Sequence, residues 1–64
     1  MKLNTVDIIK QKVLDAQENV RDYEEYSDKV DDQEVRIAFK HFAEESALQA
    51  SKLQELLSKY EPLK

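Results

Sequence analysis

The sequence predicts an all-α fold, an antiparallel two-helix hairpin assembling as a homodimeric four-helix bundle. Three observations carry this expectation. Apolar residues recur at alternating steps of three and four along two long segments. One short acidic stretch separates those segments. Glycine is absent and the only proline is Pro62, so nothing inside either segment breaks a helix. At 64 residues the chain has room for one domain. It reads as a single hairpin over 1–64, with a first helix over about 5–29, a turn at 30–32 and a second helix over about 33–60.

The first helix carries its seam on Val6, Ile9, Val13, Ala16, Val20, Tyr23, Ser27 and Val30. Alternating steps of three and four keep one stripe against a partner helix and favour shallow-angle packing. Asn4 or Thr5 can cap its start, and Asp7 in the first turn opposes the helix dipole.

The turn lies within Lys29-Val30-Asp31-Asp32-Gln33-Glu34-Val35. Asp31 reads as the N-cap of the second helix, with Glu34 three residues later as in a capping box. Val30 and Val35 on either side fit a hydrophobic staple. So short a link makes the helices antiparallel neighbours.

The second helix places Val35, Phe39, Phe42, Ser46, Gln49, Leu53, Leu56 and Tyr60 on its seam. Ala38, Ala43, Ala50 and Leu57 widen the stripe, which calls for more than one neighbour. Pro62 ends the helix near Tyr60 or Glu61. One hairpin buries a single seam and leaves the wide stripe wet, and a second copy of the chain covers it. Phe39, Phe42, Ser46, Gln49, Leu53 and Leu56 are the expected interface and register residues.

Composition removes several classes of function. Charged residues make up 38% of the chain and the net charge is −4. Phosphate binding needs a basic surface, so no nucleic-acid partner is expected. An anionic membrane wants a Lys/Arg-rich face, so no membrane partner is expected either. With no cysteine there is no disulfide, thiolate or zinc-thiolate chemistry. Without glycine there is no phosphate-cradling loop. No apolar run is long enough for a membrane span or a signal segment, and a soluble, cytoplasmic protein is the expectation. No serine or threonine has a positioned base, and the single histidine has no evident water-excluded cleft. The chain therefore reads as a non-enzyme, with no catalytic residue and no cofactor.

From Phe39 through Leu53 the chain runs Phe39, Ala43 four residues on, then Ser46-Ala47-Leu48-Gln49-Ala50, then Leu53. This pattern resembles the ferritin-like, rubrerythrin-like superfamily, whose members run Phe, Ala, Glu-x-x-His-Ala and Leu at those spacings. Tyr23-Glu24-Glu25-Tyr26 before an Asp-rich turn is similar to that family's first helix and loop. The resemblance covers about residues 16–57, one helical pair of the usual two. It implies a half-bundle whose Glu and His ligand positions are held by Ser46 and Gln49. A hydroxyl and an amide are poor ligands for a hard di-iron or di-manganese site, and Ala16 and Val20, with Gln17 beside them, lie at the matching depth of the first helix. Ser46, Gln49 and Gln17 read instead as a polar layer that fixes register.

Three further features are candidates. Glu24, His41, Glu44 and Glu45 are the alternative metal ligands, because His41 stands three and four residues from the two glutamates. On that reading the chain is a dimeric metal-carboxylate protein with iron-handling or oxidase activity. Glu18, Asp22, Glu24, Glu25, Asp28, Asp31, Asp32 and Glu34 gather towards the turn, with Arg21 and Lys29 the only cations set against them. The cluster lacks the pattern of a calcium loop and reads as a solvated, solubilising tip that also caps the second helix, with docking of a basic protein partner as the alternative. Ile37, His41 and Leu48 form a thin strip on the outward side of the second helix.

Overall fold

The computed structural model describes residues 4–60. These form two helices and no strand, α1 over Thr5–Ser27 and α2 over Gln33–Ser58. Both boundaries follow from local hydrogen-bond chemistry. Asn4 is extended, and its carboxamide oxygen accepts the amide of Asp7 at 2.9 Å. Asp32 is likewise extended, and its carboxylate accepts the amides of Glu34 at 2.8 Å and Val35 at 3.3 Å. Each cap satisfies donors that a helix start otherwise leaves unpaired. The cap of α2 is thus Asp32 and not Asp31, because the extended residue directly before the first helical turn is the one whose side chain reaches back to it.

The C-terminus of α1 is closed without a left-handed residue. Among the described residues none has positive φ, in keeping with a chain that has no glycine. Asp28 stays in the right-handed region, and the amides of Lys29 and Val30 donate to the carbonyl of Tyr26 at 3.0 and 3.2 Å. The remaining carbonyls are taken by Arg36 from the first turn of α2. Its Nε donates to the Ser27 carbonyl at 3.2 Å and its Nη2 to the Val30 carbonyl at 3.1 Å. One guanidinium fork thus closes the first helix, holds the turn, and sets a positive charge at the negative end of the α1 dipole.

The α1 seam is as its spacing predicts. Val13, Ala16 and Ser27 are buried, and Val6, Ile9, Val20, Tyr23 and Val30 are half-buried. In α2 the interior is rotated from the expected stripe. Ala43, Ser46 and Ala50 are buried and Phe39, Leu53, Leu56 and Leu57 half-buried, whereas Phe42, Gln49 and Tyr60 are exposed. The small residues take the closest approach of the two helices, and the bulkier ones are displaced to one side. Tyr60 lies beyond α2, in a terminal turn where its amide donates to the Leu57 carbonyl at 2.9 Å. Pro62, the expected stop, lies outside the described residues.

The molecule measures 43 × 27 × 15 Å. The 15 Å dimension is little more than one helix with its side chains, about 10–12 Å across. The hairpin is therefore a single layer of helices, where a stable domain stacks at least two.

Candidate functional site

At 100° per residue, the two sides of the hairpin differ in chemistry. On one side α1 presents Ile8, Lys12, Asp15, Asn19 and Tyr26, at steps of four, three, four and seven. On the same side α2 presents Val35, Ala38, Phe42, Glu45, Gln49, Lys52 and Leu56, at steps of three and four, with Tyr60 beyond. Tyr23 joins the two helices here, with its ring centroid 5.4 Å from those of Phe39 and Phe42. Phe39 and Phe42 are themselves 6.4 Å apart. These are the offset and edge-on separations that aromatic quadrupoles favour. Further from the turn, Lys12, Gln49, Lys52 and Leu53 line a shallow groove of about 340 Å³, which places Lys12 and Lys52 at one level. The face is apolar at both ends and polar in its middle. We call it the aromatic face.

The opposite side carries small and charged residues. Val20, Glu24, Ser27 and Asp28 of α1 and Lys40, Ala43, Glu44 and Ala47 of α2 line an open groove of about 570 Å³. Ser27 is 1% exposed, and its hydroxyl donates to the Glu24 carbonyl at 2.8 Å. The groove walls are helix backbone covered by alanine and serine, with no convergent set of polar groups.

The alternative metal ligands are only partly brought together. Glu24 and Glu44 line that groove, in company with Lys40. His41 Nδ1 is 3.5 Å from Glu44 Oε1, but these side chains are 70% and 75% exposed. Glu45 is on the aromatic side. Among the described residues no three His, Asp or Glu side chains are placed to hold a metal ion. At the two positions where the resemblance expects ligands, Ser46 is 6% exposed and Gln49 lies on the outer surface. Opposite them α1 supplies buried Ala16 and half-buried Val20, while Glu18 and Gln17 are exposed. The polar layer expected of Ser46, Gln49 and Gln17 inside the hairpin is therefore Ser46 alone, because Gln49 lies about 120° around the helix from Ala43 and about 100° from Ala50.

The acidic residues near the turn are exposed, and the ion pairs they make are weak ones. Lys29 Nζ reaches Glu25 at 3.5 Å and stands 5.8 Å above the Tyr26 ring. Outward, Ile37 is 49% exposed and Leu48 71%, as expected of the thin strip, with Leu14 its counterpart on α1. Sequence reasoning missed Arg36, whose role depends on carbonyls nine and six residues away. It also missed that Ile8 and Tyr26 share a side of the hairpin with Phe42, although the four-three spacing through Lys12, Asp15 and Asn19 carries that signal. Among the described residues no helix is long and apolar enough to cross a membrane. No protein-family model, curated protein or solved structure matches the chain.

Proposed function

We propose that this chain is a structural or protein-interaction module, a metal-free ferritin-like hairpin working in the cytoplasm as one half of a homodimeric four-helix bundle. The observation that carries the reading is the imbalance between core and surface. Among the described residues the buried apolar ones are Val13, Ala16, Ala43 and Ala50, while Ile8, Leu14, Tyr26, Ile37, Phe42, Leu48 and Tyr60 are exposed. Three alanines and a valine, with the half-buried side chains around them, make a thin core against the entropy of ordering the chain. The accessible surface is 5371 Å², whereas a compact monomer of this mass exposes about 4,250 Å². The radius of gyration is 14.5 Å, against about 10.7 Å for a compact domain of this length. The excess surface, on the order of 1,000 Å², is comparable to the roughly 800 Å² that each partner buries in a standard interface.

Absence of cysteine and net negative charge suit a reducing, cytoplasmic setting without a nucleic-acid or anionic-membrane partner. Light scattering on the eluting protein tests the dimer. The expected mass is twice the 7.5 kDa of the chain, and a folded species at the chain mass contradicts the proposal. Titration with iron or manganese tests the metal-free half of the reading. No stoichiometric binding is expected, and saturable binding near two metals per bundle overturns it.

A further inference from the structure

We infer that the second copy docks on the aromatic face in a tip-to-tail arrangement, with the two-fold axis crossing α2 at Gln49 and the two acidic turns at opposite ends of the bundle. The inference rests on the dimer proposed above and specifies its face and direction. The alternative face is the groove of alanine, serine and charged residues, which offers little apolar area to a partner. The aromatic face offers Phe42, 41% exposed, and Tyr60, 56% exposed, with Leu56 half-buried one turn before Tyr60.

The direction follows from a palindrome in α2. Phe42 and Leu56 stand seven residues on either side of Gln49, and Ala38 and Tyr60 stand eleven on either side. A two-fold axis through Gln49, perpendicular to the helix, lays each residue of these pairs on the other. Apolar end then meets apolar end, and the two Gln49 amides meet each other, each group supplying both donors and acceptors. Glu45 and Lys52 flank Gln49 at four and three residues, and among the described residues neither is in an ion pair. The same axis sets Glu45 of one copy against Lys52 of the other, twice per dimer.

The tip-to-tip arrangement does the reverse. It lays α2 of one copy over α1 of the other at equal distance from the turn. Lys52 then faces Lys12, which shares its level, and Glu45, seven residues nearer the turn, faces Asn19 and gains no cation. It also brings together two turns that each carry Asp28, Asp31, Asp32 and Glu34. Like charges at such short range oppose association, and opposite charges set its register.

Because the native chain has no cysteine, engineered disulfides report the arrangement without background. Oxidation of Gln49→Cys is expected to give a covalent dimer on a non-reducing gel, since the axis brings the two Cβ atoms within disulfide reach. Ala47→Cys, on the opposite face, is expected to give none. A second measurement reads the charges. Glu45→Lys alone weakens the dimer about tenfold, and Glu45→Lys with Lys52→Glu restores it, in a sedimentation assay at low salt. If Gln49→Cys is dimeric by light scattering but does not cross-link, or if Ala47→Cys does, the arrangement is wrong while the dimer stands. If the double reversal weakens the dimer further, the tip-to-tail direction is wrong. If the unmodified protein is a folded monomer, the dimer itself is wrong and the inference falls with it.

Discussion

Single side chains decide how this hairpin turns. Arg36 spans from α2 to the Ser27 and Val30 carbonyls at 3.2 and 3.1 Å, doing what a glycine cap does in other chains. Replacing it with methionine keeps the aliphatic stem and removes both donors. The expected loss is about 2 kcal/mol, from a charged donor serving partly buried acceptors. Urea denaturation at fixed protein concentration measures it, and a loss below 0.5 kcal/mol, roughly the scatter of surface substitutions, would contradict the role. Asp32→Ala should cost about 1 kcal/mol as a lost N-cap, whereas Asp31→Ala should stay within about 0.5. Equal losses at the two positions would mean that the carboxylates share the cap. Asp31 was the residue that sequence spacing favoured, because Glu34 stands three residues after it. Two adjacent aspartates differ by one residue in register, and only the backbone conformation selects between them. Arg36 was not legible at all, since nothing local marks an arginine that will bond carbonyls of the preceding helix.

At the scale of elements, the two helices were legible to unequal degrees. In α1 the seam from Val6 to Val30 is the interior of the hairpin, because it is the only apolar stripe there and the pattern has one solution. In α2 two stripes compete. The larger residues Phe42, Gln49 and Tyr60 dominate the reading, but Ala43, Ser46 and Ala50 take the interior. Helices that approach closely require small side chains at the contact, and small side chains weigh little in a hydrophobic pattern. This close contact makes a direct prediction. Ala43→Leu should destabilise the protein by about 1–3 kcal/mol through overpacking, read as a lowered denaturation midpoint. An unchanged or raised midpoint would mean that the helices are not in close contact there. Gln49 behaves differently because it lies outside that contact. Gln49→Leu should raise stability and loosen the choice of partner arrangement, as removal of a polar register group does in coiled coils. A Gln49→Leu protein that unfolds would show the amide to be needed for folding itself.

The whole molecule is a single layer 15 Å thick, with an interior of small residues and an aromatic face that no part of the described chain covers. The hairpin, its direction and its boundaries to within about two residues follow from spacing, caps and the absence of glycine. The division of α2 between an inner and an outer stripe needed coordinates, because both stripes have helical periodicity. For the proposed dimer, folding and association are one equilibrium. The most direct test is the thermal midpoint of the helical circular dichroism signal over a hundredfold range of protein concentration. A dimeric bundle gives a midpoint that rises with concentration and a helical signal that falls at the lowest concentrations. A midpoint independent of concentration, with full helicity throughout, would show that the single hairpin folds alone and would contradict the account.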